Sequence, residues 1–465
     1  LKLVDLSFQR ISESDWQDCD LVLVTGMMVQ HRGLVQTVRE AARRGKPVVV
    51  GGSYAYHFPE EILRAGADVV VRGEGEITVP RLVDNLRRGR KERIIEADRT
   101  ADLTESPAPR YDLIDLNRYA DMSVQFSRGC PFACEFCDVT LMLGKKVRTK
   151  TPEQVLQELE TLYRMGWRRA VFFVDDNFLG NPIKTRALLE ALIPWMEARR
   201  YPFDFYTQAS VNLARHESLM DMMLRAGFYA VFLGVETTDE ESLRQAGKTQ
   251  NLVVRADEAC DKINRAGLQI IAGCILGFDQ ERPGADERLI AFAKRQCIPE
   301  MFVTLLQAGP GTALWNRLQE EGRLLPLEDA ALQDYSNQTG LCNFTTTRPL
   351  TEIVEEFIHL YEALYDPVFF LERAFHHFDR MASPKIKKPF RPPSRHEIRA
   401  VLMSFFRQGI VRPSRFKFWM VMLKALLRFP ERMPGLISTC IKGEHFFKYR
   451  ETIATTLRRR LREMP

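Results

Sequence analysis

Nine short runs of aliphatic, β-branched or aromatic residues punctuate the chain up to residue 307, and helix-patterned stretches separate most of them. Strand, helix, strand in succession dictates parallel pairing, because only a crossover long enough to carry a helix can start the next strand in the same direction. The first series has runs at 21–25, 47–51 and 68–72, with a helical pattern over 34–44 that stops at Gly45-Lys46-Pro47. The second has runs at 122–127, 170–175, 203–209, 230–236, 269–276 and 300–307, with helices starting near Pro152, Pro182, His216, Leu252 and Ala285. The fold class that follows is α/β: a Rossmann-like N-terminal sheet, then a partial (β/α)6 barrel. Both architectures gather their chemistry at the carboxyl ends of the strands.

Four segments follow from this rhythm: a Rossmann-like domain over 1–100, a Pro-bearing connection over 101–120, the barrel over 121–335, and a helical, basic and aromatic region over 336–465, interrupted by an extended Pro/Lys arm at 384–393. The chain opens inside a strand-like run, Leu1-Lys2-Leu3-Val4-Asp5-Leu6, so the sheet's first strand is expected upstream of Leu1. Apolar residues at 45% and charged residues at 27% are ordinary for a globular protein. A net charge of +5 over 465 residues gives no reason to expect nucleic acid as a partner. There is neither a spanning apolar run nor a secretory signal, so a reducing, cytoplasmic setting is expected.

Of nine cysteines, three crowd together as Cys130-Pro-Phe-Ala-Cys134-Glu-Phe-Cys137, just after the first strand of the second series. Three thiolates on one loop can bind three irons of a 4Fe–4S cubane and leave the fourth open, free to chelate the amino and carboxylate groups of S-adenosylmethionine (SAM). Zinc would want a fourth Cys or His, and the next candidates are as distant as His216 and Cys260.

The loop, with Phe136 before the third cysteine, resembles the radical SAM signature, and six βα units suit that superfamily's partial barrel. The resemblance implies that Gly273 and Ile275, in Gly273-Cys-Ile-Leu-Gly277, pack beside the adenine. It also puts Asp175 and Asp176 where the superfamily carries Gly-Gly-Glu to bind the ammonium of SAM. Gln208, Ser210 and Glu236, at strand ends, become candidates for ribose or methionine contacts. The acid that normally ends the glycine element is displaced here: Gln280 occupies its place and Glu281 follows.

At the strand ends of the first series stand Thr25-Gly26, Gly51-Gly52-Ser53 and Gly73-Glu74-Gly75, small residues that permit close backbone approach. A Rossmann-like domain before such a barrel resembles the cobalamin-binding radical SAM class, and the resemblance implies that these eight residues contact cobalamin. No Asp-x-His-x-x-Gly is present to supply an axial histidine; His31 and His57 lie outside that pattern. No Gly-x-Gly-x-x-Gly opens a helix, which argues against a dinucleotide.

Residues 111–115, 123–129, 173–178 and 234–237, with the helical extension, resemble the subgroup known for hopanoid C-2 methylation. The resemblance implies a C-methyltransferase acting on an unactivated carbon of an apolar, lipid-like substrate. One SAM would methylate cobalamin, a second would yield the 5′-deoxyadenosyl radical, and a low-potential donor would supply electrons. In the extension, Phe416, Trp419, Leu423, Leu426 and Leu427 share one helical face, while Lys417, Lys424 and Arg428 share another. That pattern suits an interfacial helix on the inner membrane, with Arg458-Arg459-Arg460 adding charge, and equally a helix whose apolar face packs on the barrel. A non-methylating cyclase and a non-catalytic cobalamin or lipid carrier are the alternatives.

Overall fold

The computed structural model describes residues 1–326, 338–389 and 391–463; the boundary expected at 335–336 lies outside them. Four parallel strands, β1 (Val22–Thr25), β2 (Val48–Gly51), β3 (Val69–Arg72) and β4 (Ile94–Glu96), form the N-terminal sheet in that order. Val38, Val48, Val50, Ile62 and Val70 are wholly buried between this sheet and the His31–Arg43 and Pro59–Ala65 helices. Three residues were too short a run for β4 to stand out in the sequence. The opening run 1–6 joins no strand: its Asp5 accepts from the Tyr119 hydroxyl at 2.9 Å, and Phe8 meets the Tyr119 ring at 5.3 Å.

Six further strands, β5 (Met122–Val124), β6 (Ala170–Phe173), β7 (Asp204–Ala209), β8 (Phe228–Glu236), β9 (Gln269–Leu276) and β10 (Glu300–Leu305), pair in parallel in sequence order. Val171, Phe173, Phe205, Val231, Leu233, Ile270 and Ala272 face the outer helices and are buried. The alternate residues point into the barrel and stay half-buried, as a period of two requires. β5 ends earlier than its apolar run because the Asp175 carboxylate takes the backbone N–H groups of Phe126 and Ser127, and the chain peels away after Val124. The helix expected near Leu252 is split into Gln250–Val253 and Ala256–Ala266.

Beyond the barrel, the Leu350–Leu364 helix packs on β10, with the Tyr361 hydroxyl donating to the Val303 carbonyl at 3.1 Å. The arginine triplet departs from expectation. Arg458 pairs with Glu355 at 2.8 Å, Arg459 with Glu463 at 3.2 Å, and Arg460 is buried against the Thr339 carbonyl, so the three do not form a free basic patch. In the Arg415–Arg428 helix, Phe418, Val421, Met422 and Ala425 are buried. The face bearing Phe416, Trp419, Leu423, Leu426 and Leu427 is 48–78% exposed, which overturns its packing on the barrel. Among the described residues no helix is long and apolar enough to cross a membrane.

Candidate active site at the cysteine loop

The cysteine loop leaves the barrel after β5 and is closed by a two-stranded ribbon, Ser127–Arg128 against Arg148–Thr149. Gly129 turns the chain into it at φ +91°, and a Cβ there would lie 2.8 Å from the Gly144 carbonyl and 2.9 Å from that of Lys146. Only glycine fits such a turn. The Cys130 N–H donates to the Gly144 carbonyl at 3.3 Å, and that of Glu135 to the Ala246 carbonyl at 2.9 Å. Arg317 then bridges Glu135, at 3.0 Å, and Asp279, at 2.9 Å, locking the loop to the far edge of the barrel.

All three thiols are unpaired and half-buried. Burial raises Cys130 and pushes Cys137 up to about 12, with Cys134 adding to both and Cys130 adding to Cys137. Three thiols carried on one short loop are the donors that a cubane cluster takes when three of its irons are bound by the protein and the fourth is left open. The donor set therefore fits a 4Fe–4S cluster.

Sequence reasoning missed the charge beside this loop. Lys248 is buried, ion-paired with Glu236 at the end of β8, and lies 6.0 Å from the Phe136 ring centroid. Burial lowers the Lys248 pKa, but Glu236 and the thiols of Cys134 and Cys137 more than reverse that, so it is raised overall. Gln250 donates to the Cys134 sulfur at 3.6 Å. Glu236 holds the left-handed conformation at φ +64°, uncommon for a residue with a side chain. Gly234 makes room for the pair: a Cβ there would sit 2.5 Å from Glu236 Oε1 and 2.8 Å from Lys248 Nζ. Gly247-Lys248-Thr249-Gln250 carries no periodicity or ligand spacing that would single it out in the sequence.

The other residues expected around SAM divide. Asp175 is fully buried and committed to the backbone of 126 and 127, and burial pushes its carboxyl up to about 7. It therefore braces the turn and is not free to bind a ligand. Asp176 is half-buried and accepts from the Gly129 N–H at 3.2 Å beside Cys130. Gln208 and Ile275 are half-buried on the inward face, whereas Ser210 is buried with its N–H on Asn177 at 3.4 Å. Gly273 lies under the Phe232 ring, 2.7 Å from where its Cβ would be. The displaced acid finds the glycine element after all, since Glu281 accepts from the Gly277 N–H at 2.7 Å.

Between the two sheets lies a cavity of about 870 Å³, lined in part by Gly52, Ser53, Gly73, Glu74 and Gly75 from the N-terminal domain and by Gln125, Arg128, Met142 and Leu143 from the cysteine loop and its approach. This is at the upper end of the range of about 300–1,000 Å³ usual for small-molecule sites. Thr25 and Gly26 do not line it. They pack beneath Gly52, whose φ of +92° and missing Cβ admit Thr25 Oγ1 to 2.5 Å from the Cβ position. Gly51 is likewise not among the lining residues. Glu74 is 6% exposed and bound to Arg128 at 2.9 Å, Arg148 at 2.8 Å and the Ala101 N–H at 2.8 Å, so it straps the two domains together. Burial works against ionisation of the neighbouring Glu76, yet Arg128 and Ser106 hold its carboxyl down to about 2.

The comparisons with known proteins agree with this architecture. Residues 9–83 match the B12 binding domain, 124–293 the Radical SAM superfamily, and 312–459 a domain of unknown function (DUF4070). An uncharacterized methyltransferase of Synechocystis sp. is 44% identical over 99% of this chain and 85% of its own length. The hopanoid C-2 methylase of Rhodopseudomonas palustris is 33% identical over 70% of this chain and 62% of its own length. The radical SAM methyltransferase TsrM from Kitasatospora setae, solved with cobalamin and a [4Fe-4S] cluster, superposes with a TM-score of 0.60 at 16% identity, covering 95% of this chain and 90% of that one. At that identity the likeness is one of fold.

Proposed function

Given that the chain belongs to the cobalamin-binding radical SAM methyltransferases, we propose that it methylates an unactivated carbon of an apolar, hopanoid-like molecule. One observation carries the reading of the site. The loop that bears Cys130, Cys134 and Cys137 lines, through Met142 and Leu143 at its other end, the cavity beneath the glycine turns of the N-terminal sheet. A single structural unit thus adjoins both candidate cofactor sites.

In this reading the three cysteines hold the cluster, and Asp176, Gln208, Glu236, Gly273 and Ile275 surround SAM. Gly52, Ser53, Gly73 and Gly75 approach cobalamin, with Thr25, Gly26 and Gly51 shaping the turn beneath it. These cofactors, when bound, supply radical generation and a transferable methyl group; the protein contributes placement and exclusion of water. Lys248 sets a positive charge beside the sulfurs, and Gln250 donates a hydrogen bond to one of them, both of which tune a cluster's potential. Asp176 offers a carboxylate next to Cys130, suited to an ammonium group. A low-potential donor supplies electrons, in keeping with a cytoplasmic setting in which thiols stay reduced. A substrate that resides in lipid implies peripheral contact with a membrane.

The test is an anaerobic reaction of the reconstituted holoenzyme with methyl-deuterated SAM and a hopanoid such as diploptene, read by mass spectrometry. A labelled methyl product with both deoxyadenosine and S-adenosylhomocysteine is the expected outcome. Deoxyadenosine without S-adenosylhomocysteine would turn the reading toward a non-methylating cyclase. Neither product, from protein with a full cluster, would leave a carrier.

A further inference from the structure

The C-terminal region carries a surface that the site does not use. Twelve of the 26 large hydrophobic side chains exposed in the described structure fall within residues 398–428. On the Arg415–Arg428 helix, Phe416, Leu423 and Leu427 are 75%, 60% and 78% exposed, at the spacing of one helical stripe. Phe406, Ile410 and Val411 add a second stripe from the preceding helix and its π-helical turn, Arg407–Val411, and are each more than half exposed. Trp419 ties that turn to the Arg415–Arg428 helix: its indole donates to the Gly409 carbonyl at 2.9 Å and lies so close that a Cβ on Gly409 would be 3.0 Å from the ring.

Charge distinguishes what such a surface fits. Residues 398–428 contain seven Lys or Arg and not one Asp or Glu. Arg412, Lys417 and Arg428 reach acids on neighbouring helices, while Arg399, Arg407 and Lys424 are exposed and make no ion pair among the described residues. A second copy docked face to face would bring these like charges together around an apolar centre. An anionic bilayer neutralises them while taking up the apolar stripes. We propose that the surface formed by residues 398–428 docks the protein on the face of an anionic membrane, lying in the interface without crossing it. This deepens the reading of an apolar substrate, and it places the barrel at the surface of the phase in which such a substrate dissolves.

The test uses the full chain and needs no turnover. Co-sedimentation with vesicles of equal parts phosphatidylcholine and phosphatidylglycerol is compared with phosphatidylcholine alone, at low and high salt. Binding is expected to the anionic vesicles, to weaken with salt, and to fall by about tenfold or more in Leu423→Asp/Leu427→Asp and severalfold in Lys424→Glu. Both leucines are exposed, so the variant should keep its melting temperature and its cobalamin binding. Equal binding by wild type and variant, or none to anionic vesicles, overturns the proposal. A dimer in solution that the double variant dissolves overturns it in favour of a second copy. Deoxyadenosine formation with detergent-solubilised substrate is measured in parallel, so that loss of docking and failure of the methylase reading are told apart.

Discussion

The ring of His57, from the N-terminal domain, lies with Nε2 3.3 Å from the carboxylate of Asp138, the residue that follows the third cysteine of the loop. Its other nitrogen lies 3.1 Å from the Pro310 carbonyl, and the neighbouring Tyr56 hydroxyl donates to the Leu141 carbonyl at 3.1 Å. Two consecutive residues on the short Ser53–His57 helix therefore fasten the N-terminal sheet to both ends of the barrel's strand series. His57 has nothing of an axial ligand in its sequence context; the fold makes it a coupling between domains.

The first prediction follows from that contact. His57→Ala should leave deoxyadenosine formation within about twofold of wild type and lower methylated product by about tenfold, because small misplacements of reacting groups are costly while each half-site is intact. The ratio of the two products in one reaction measures it. A proportional fall in both would show instead that His57 supports the cluster loop itself.

A second concerns the buried pair beside the thiols. Lys248→Met strands the Glu236 carboxylate and should destabilise the chain by about 3–5 kcal/mol. The double variant Lys248→Met/Glu236→Gln should recover most of that stability yet still show altered cluster absorbance and slower deoxyadenosine formation. Thermal melts separate the first effect, and electron paramagnetic resonance of the reduced cluster reads the second. Wild-type spectra in the double variant would confine the pair to a structural role.

The third tests the strap. Arg148 joins Glu74 on the N-terminal domain to the Ala101 and Leu143 carbonyls, at 2.8, 2.7 and 2.7 Å. Arg148→Met leaves Glu74 with Arg128 and one N–H, and should cost about 3 kcal/mol, with faster loss of cobalamin on gel filtration. An unchanged melt together with retained cobalamin would refute the strap.

Much of this architecture could be read from the chain before any coordinates. The short apolar runs and the crossover lengths between them announce nine of the ten strands of the two parallel sheets, and β4 escapes because a three-residue run is too short to stand out. The cysteine spacing marks its loop because all three donors lie within eight positions. Lys248, Gln250 and Arg148 stay silent for the opposite reason. Each is an ordinary polar residue that gains meaning only where the folded loop meets it, Gln250 lying 116 positions from Cys134 and Arg148 74 positions from Glu74. Asp175 shows the converse error. A carboxylate at a strand end looks like a ligand, and here the backbone takes it first.

A final prediction concerns pH. Glu281 is 3% exposed, gives one oxygen to the Gly277 N–H, and has no partner for the other. Burial, helped by nearby Glu356, pushes its carboxyl from 4.5 up to about 7, although Gly277 pulls the other way. The folded chain then holds this proton more tightly than the unfolded chain. The stabilisation is fully present below about pH 4.5, and it is lost as pH rises through about 7. It amounts to roughly 3 kcal/mol at most, at about 1.4 kcal/mol for each tenfold gain in proton affinity. Asp175 contributes in the same direction, being raised from 3.8 to about 7. Melting temperatures of the full chain without cofactors should therefore decline across this window, and Glu281→Gln should make the decline shallower without abolishing it. An identical slope in the variant would mean that Glu281 stays ionised in the fold, with Arg288 and Arg348 as the nearby cations able to hold it so.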